Sequence, residues 1–174
     1  MTQQTNINYL GIDPGKEGAF VLLSADQRLL ALFDMPIRLK QPCPHQIGTL
    51  YSGIRQKYGN PFTVIEKPHF RPTDGKKGIA SYHLGAGYLL MPCLWGDWPI
   101  QMVPPQIWTR DLHLGLSKDL SGKQKSLEAF HALFPSLAKS KAFIDNKKIY
   151  DGRIDALLIA EYARRLHSGI TNRQ

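Results

Sequence analysis

Two acids close short apolar runs. Asp13 follows Tyr9-Leu10-Gly11-Ile12, and Glu66 follows Phe62-Thr63-Val64-Ile65. Each is followed at once by turn signals, Pro14-Gly15 in the first case and Lys67-Pro68 in the second. A carboxylate at the end of a buried strand is costly unless it is paired, hydrogen-bonded or bound to a cation. A second pair, Asp151 and Asp155, stands just ahead of Ala156-Leu157-Leu158-Ile159-Ala160. Four residues apart on a helix, the two share one face and repel each other. Singly, each acid has a structural role open to it. Asp13 can hydrogen-bond its own turn, Glu66 can pair with Lys67, and Asp151 can cap the helix that follows it. Together they form the oxygen-rich set that metal-assisted phosphodiester hydrolysis uses. Two divalent ions about 4 Å apart activate water and stabilise the leaving oxygen of an in-line displacement. Mg²⁺ keeps several of its own waters, so a few carboxylates and the substrate phosphate suffice.

Other chemistries lack their residues. No His/Cys cluster suggests zinc, no Gly-x-Ser-x-Gly elbow suggests a serine hydrolase, and no Walker-type loop suggests nucleotide hydrolysis. Cys43 and Cys93 are far apart and without metal-ligand spacing, which points to reduced thiols in a cytosol-like compartment. The first residues lack the pattern of a signal or transit peptide, and no apolar run reaches the length of a membrane span, so a cytoplasmic protein is expected. The net charge is +8, and most Lys and Arg lie after Glu66. Such a balance favours an anionic partner through counterion release and steering, with nucleic acid the best candidate. A well-solvated basic surface is the plainer alternative.

The elements that must position these acids read as an α/β chain of 174 residues, with no internal repeat and no linker, hence one domain over 1–174. Asn8–Ile12, Gly18–Leu23 and Arg28–Met35 read as strands, the first two joined as a hairpin. A Pro-rich connection at Pro36, Pro42 and Pro44 leads into an amphipathic helix over His45–Tyr58, which Gly59-Asn60-Pro61 stops. Phe62–Glu66 is a buried-type strand, so the two strand-end acids meet if the two strands are neighbours. A polar loop from His69 to Gly78 mixes Phe70 with Arg71, Lys76 and Lys77, a composition suited to stacking on bases and gripping phosphates. A helix over Ile79–Leu90 and a strand over Pro99–Val103 follow. Pro104-Pro105 opens a helix to Leu112. A polar loop carries Lys118, and a further helix runs from Ser121 to Phe134. Ser136–Tyr150 is basic and reads as loop or frayed helix. The last helix, Asp151–His167, has a core stripe of Ile154, Leu157, Leu158, Tyr162 and Leu166. Strands interleaved with helices give an α/β layered sheet.

At this point the chain resembles the RuvC-type Holliday-junction resolvases of the ribonuclease H-like superfamily, and phage-type members in particular. The residues that carry the likeness are Leu10-Gly11-Ile12-Asp13-Pro14-Gly15, the strand ending in Glu66, and Asp155-Ala156-Leu157-Leu158-Ile159-Ala160 with Asp151 upstream. The segments Pro104–Trp108 and Lys123–Pro135 add to it. The resemblance implies a mixed five-stranded ribonuclease H-like sheet flanked by helices, a homodimer, and Mg²⁺ or Mn²⁺ held by Asp13, Glu66, Asp151 and Asp155. It implies paired nicking of four-way DNA junctions in a bacterial or phage-infected cell. Bacterial members often carry one acid three residues before the last, a position occupied here by Gly152, with Asp151 one residue further back. A basic residue near the site is also implied, and Lys123 and Lys125 both qualify. Phe70, with His69 as its rival, resembles the aromatic used near the junction centre. Arg71, Lys76, Lys77 and Lys118 complete the expected DNA contacts. Two other readings stay open: a nuclease for other branched DNA or structured RNA, and a junction-binding protein without catalysis.

Overall fold

Strand β1 (Tyr9–Ile12) is buried along its whole length, as a strand flanked on both faces must be. In the computed structural model, which describes residues 7–67, 83–91 and 96–170, it pairs on one side with β2 (Ala19–Leu23). This pairing is antiparallel, and β2 pairs in turn with antiparallel β3 (Leu29–Asp34). A short ladder of β4 (Ile37–Arg38) and β5 (Gln41–Pro42) leads to α1 (Pro44–Tyr58). The other side of β1 pairs in parallel with β6 (Phe62–Glu66), and β6 with β7 (Ile100–Val103). The sheet order is β3-β2-β1-β6-β7, the five-stranded mixed sheet expected. Residues 83–91 are helical (α2). After β7 come α3 (Pro105–Leu112), α4 (Gly122–Leu133), a 3₁₀ turn at Leu137–Lys139, a hairpin of β8 (Ile144–Asp145) and β9 (Lys148–Ile149), and α5 (Asp151–His167). Among the described residues no helix is long and apolar enough to cross a membrane.

The two faces of the sheet separate by the two-residue period of a strand. Leu10, Ile12, Phe20, Leu22 and Ile65 pack with Ile47, Tyr51 and Ile54 of α1. Tyr9, Val21, Leu23 and Val64 face the other way, into a core shared with Ile154, Leu157 and Leu158 of α5. α5 lies against β1, β2 and β6 and also meets α3 and α4. Its burial is therefore wider than one amphipathic stripe, taking in Ala156, Ile159, Ala160, Glu161 and Ala163 as well. Glu161 has no exposed side-chain surface. Burial alone would push its carboxyl up. Hydrogen bonds from Arg164, Gln27 and Arg165 instead hold it below the ordinary range, with Arg164 at 2.8 and 3.0 Å and Arg165 at 2.9 Å.

The approach of α5 to β1 is set by small residues. A Cβ on Gly11 would stand 2.2 Å from both the Ala156 carbonyl oxygen and the Ala160 nitrogen, so strand and helix touch backbone to backbone there. One turn earlier, a Cβ on Gly152 would stand 2.0 Å from the Glu17 carbonyl oxygen in the β1–β2 connection. Gly152, Ala156 and Ala160, spaced by four, form one row along the helix and let it lie directly on the strand.

The Pro-rich connection closes the short β4–β5 ladder. Local readings need two corrections. Ser136–Tyr150 is neither loop nor frayed helix but a 3₁₀ turn and a two-stranded hairpin. The N-cap of α5 is Tyr150, so Asp151 is the first helical residue and does not cap it. Elsewhere the ends are as the punctuation suggests. Pro105 opens α3, and Ser121 with Gln124 forms a reciprocal capping box on α4.

Overpacking a close contact of this kind costs about 1–3 kcal/mol. Gly11→Ala is therefore expected to lower the melting temperature by roughly 2–12 °C. A thermal melt in which Gly11→Ala matches the unaltered protein would remove the backbone contact as the determinant of helix placement.

Candidate active site

The register of β1 on β6 pairs Ile12 with Ile65. One residue further, Asp13 and Glu66 leave the ends of adjacent parallel strands, on the side that Gly11 and Val64 share with α5. On α5, Asp155 immediately precedes Ala156, whose carbonyl oxygen marks the contact with Gly11. Three carboxylates thus converge where β1, β6 and α5 meet, at the carboxyl ends of the two parallel strands. Open α/β sheets commonly bind ligands in this position.

Their protonation reflects that crowding. Burial pushes Asp13 up to about 6, against the pull of the Gly15 N–H, and the charge of Glu66 adds to the rise. Burial pushes Glu66 up to about 7, with the Trp108 hydrogen bond opposing and Asp155 adding. Asp155 also stands at about 7, raised by burial first and by Asp13 next, with Ser126 and Lys123 pulling it down and Asp151 up. The acids are therefore electrostatically coupled to one another. Asp155 Oδ1 is buried with no hydrogen-bond partner, a costly state for a carboxylate oxygen.

The surrounding side chains orient the acids. Asp13 Oδ1 accepts the Gly15 N–H at 3.0 Å, so the turn-bonding role and the cluster role coexist. Glu66 does not rely on Lys67: its Oε2 accepts from Trp108 Nε1 at 2.8 Å. Trp108 in turn meets His113 edge-on at 5.9 Å, and His113 Nε2 lies 3.4 Å from Ser126 Oγ. Burial, with the charge of Lys125 nearby, holds the His113 imidazole below its ordinary pKa. Lys123 Nζ donates to Asp151 Oδ2 at 2.5 Å, and this bond, with Asp155 and Glu17 adding, raises the ammonium pKa.

Two open clefts flank Asp155. One, about 550 Å³, is lined by Asp13, Asp151, Asp155, Lys123 and the turn from Pro14 to Gly18. The other, about 590 Å³, is lined by Glu66, Trp108, His113, Lys125, Ser126, Lys123 and Asp155. Lys123 and Asp155 belong to both, whereas Lys125 reaches only the second. Lys118 lies exposed between α3 and α4 and lines neither cleft. His69, Phe70, Arg71, Lys76 and Lys77 fall outside the described residues.

No protein-family profile matches the sequence, and no curated protein matches it by sequence. Solved structures do match by shape. Thermus thermophilus RuvC in complex with a Holliday junction substrate superposes with a TM-score of 0.67 at 15% identity, covering 95% of this chain and 98% of that one. The chain has the RuvC fold. A second structure of Thermus thermophilus RuvC gives a TM-score of 0.58 at 16% identity, with 95% and 98% covered. The yeast mitochondrial Holliday junction resolvase Ydc2 gives 0.62 at 15% identity, covering 92% of this chain and 79% of that one. The sheet order β3-β2-β1-β6-β7 with helices on both faces is the ribonuclease H-like arrangement of RuvC.

Within the RuvC fold of this chain, the sequence alone missed Trp108 and Ser126 as partners of Glu66 and Asp155, and His113 as the residue touching both of those partners. A buried indole N–H usually finds an acceptor, which is the one signal that could have tied Trp108 to Glu66. The Gly152 position is also explained. With the Glu17 carbonyl 2.0 Å from any Cβ there, only glycine fits position 152 as the two backbones stand.

The raised carboxyls set a pH dependence. Their folded pKa values lie above the ordinary values of 3.8 for Asp and 4.5 for Glu. The folded state thus binds more protons than the unfolded one between about pH 4 and 7, and these groups lower stability as pH rises through that window. Asp155→Asn removes one of the repelling charges. It is expected to raise the melting temperature at pH 8, by roughly 2–4 °C for each ~1 kcal/mol relieved, and to change it little at pH 5. Melts at the two pH values check this, and an equal shift at both would contradict the coupling.

Proposed function

We propose that the protein is a structure-selective endonuclease that resolves four-way DNA junctions by paired, divalent-metal-dependent hydrolysis. The observation that carries this reading is the convergence of Asp13, Glu66 and Asp155 at one end of a RuvC-fold sheet, with their pKa values raised by burial and by one another. The net charge of +8 suits a polyanionic substrate. One of the matched RuvC structures holds a Holliday junction substrate.

The donor set fits Mg²⁺ or Mn²⁺. All four acids offer hard oxygen ligands, and Asp155 Oδ1 is buried without a partner. Among the described residues no three such side chains are gathered closely enough to cage an ion unaided. Mg²⁺ does not need a cage, because one or two carboxylates plus substrate phosphate and water serve it. Asp13, Glu66, Asp151 and Asp155 would divide the holding of such ions among them, one or two carboxylates to an ion, with Asp155 lining both clefts. When bound, the ion supplies Lewis acidity and lowers the pKa of water.

The chain's own residues do the rest. Trp108 fixes the Glu66 carboxylate through its N–H, and the Gly15 N–H fixes Asp13. Lys123, anchored by Asp151 and lining both clefts, offsets charge that develops on the phosphate. Lys125, beside His113 in the second cleft, is the less favoured of the two lysines. Phe70 or His69, with Arg71, Lys76, Lys77 and Lys118, would hold the opened junction. A homodimer with two-fold symmetry would present two such sites to strands of matching polarity.

The test is cleavage of a labelled synthetic four-way junction beside linear duplex, flaps and forks, with Mg²⁺, Mn²⁺ or EDTA. Paired, metal-dependent nicks at the junction are expected. Asp13→Asn and Glu66→Gln should each reduce cleavage by at least about 10³-fold while junction binding in EDTA persists. Equal cutting of flaps and forks would mark a broader nuclease, and tight binding without cutting in any metal would mark a junction-binding protein. Because an ion relieves the repulsion among the acids, Mg²⁺ should raise the melting temperature more at pH 8 than at pH 5. Equal shifts would place the ion elsewhere.

A further inference from the structure

The segment between α4 and α5 plays no part in the site described so far. From residue 136 to 150 it carries Lys139, Lys141, Lys147 and Lys148 against a single acid, Asp145. It is also firmly built. Phe143 is fully buried against Phe130, their ring centroids 5.2 Å apart. The Tyr150 N–H donates to the Phe143 carbonyl at 3.0 Å and closes the hairpin, whose Asp145 pairs with Lys148 across a turn with Asn146 at φ 55°. Asparagine tolerates that left-handed backbone.

Arg153, in the first turn of α5, bolts the base in place. It donates to the Ala142 carbonyl at 2.7 Å, forks the Asp34 carboxylate at 2.6 and 2.7 Å, and lies over the Tyr150 ring at 4.1 Å. The Lys148 ammonium also lies over the Tyr150 ring, at 4.6 Å. Lys147 and Lys148 are exposed.

The place of this hairpin matters more than its charge. A cleft of about 280 Å³ is lined by Lys148, Tyr150 and Arg153 together with Lys16, Glu17, Gly18, Asp151 and Gly152. The last five residues also line the acid-bearing cleft, so the two clefts are continuous. Of the carboxylates lining the smaller cleft, Asp34 is forked by Arg153 and also feels the charge of Lys148, while Asp151 pairs with Lys123, on which Glu17 acts as well.

We infer that the β8–β9 hairpin is a phosphate-gripping arm: Lys147 and Lys148, with Lys16 opposite, contact the backbone of the DNA strand that runs out of the acid-lined cleft. The inference rests on the nuclease reading and adds where the strand goes next. The contact carries no base information, because lysines on phosphates fix register and path but not sequence.

The experiment measures the affinity of the full-length protein for a labelled four-way junction in EDTA, over a range of KCl concentrations. Lys147→Ala/Lys148→Ala is compared with Arg55→Ala/Lys57→Ala, which removes two exposed charges from α1 on the opposite face of the sheet. The hairpin variant is expected to bind roughly tenfold more weakly at low salt, with the slope of log K against log[salt] reduced by about 1–2. The α1 variant should change less than about twofold. Equal losses from both variants would reduce the effect to overall charge and overturn the inference, as would unchanged binding by the hairpin variant. If the unaltered protein does not bind junctions, the proposed function itself fails, a result separate from either of those.

Discussion

The site depends on one close contact. Strand β1 and helix α5 touch through backbone atoms at Gly11, Ala156 and Ala160, with no side chain between them. A helix held off by ordinary side chains would sit farther from the strand, and its carboxylates would stand farther from those at the strand ends. The close seating also places the start of α5 against the β1–β2 turn, so Gly152 and Glu17 meet in the same manner. Packing geometry here decides which carboxylates meet.

That geometry costs stability, and the costs are local. Three acids brought together raise one another's pKa values, and one carboxylate oxygen is left buried without a partner. The rest of α5 is strongly held. Its far end buries Glu161 under two arginines, and Arg165 also reaches Asp111 of α3 at 3.6 Å. Breaking such a buried pair by removing one partner typically costs about 3–5 kcal/mol. One end of the helix is fixed by satisfied charges, and the other presents unsatisfied ones. Functional sites commonly concentrate strain that well-packed regions elsewhere absorb.

Much of this was legible in the sequence, for identifiable reasons. Strand-end acids, Pro and Gly punctuation and the apolar run after Asp155 are local signals, and the strands, α1, α3, α4 and α5 follow from them. The pairing of β1 with β6 was conditional, because no local signal states which strands are neighbours. The hairpin at 144–149 was hidden by its length, with two residues on each side giving no period to detect. Trp108 was seen as a helix residue but not as the donor to Glu66, since the two are 42 positions apart. The row Gly152, Ala156, Ala160 was visible all along as small residues spaced by four. Its meaning depends on Gly11, which is distant in the chain.

The seating of Gly152 bears on how this site relates to others of its fold. At about 100° per residue, positions three and four before Asp155 fall on opposite flanks of it, roughly 60° one way and 40° the other. Asp151 therefore approaches the cluster from a different side than an acid at 152 would, and its bond to Lys123 belongs to that approach. An acid could move to 152 only if the Glu17-Gly18 backbone withdrew at the same time. The place an acid can take on the helix and the path of a turn more than a hundred residues earlier are thus geometrically tied, and a change in one requires a change in the other.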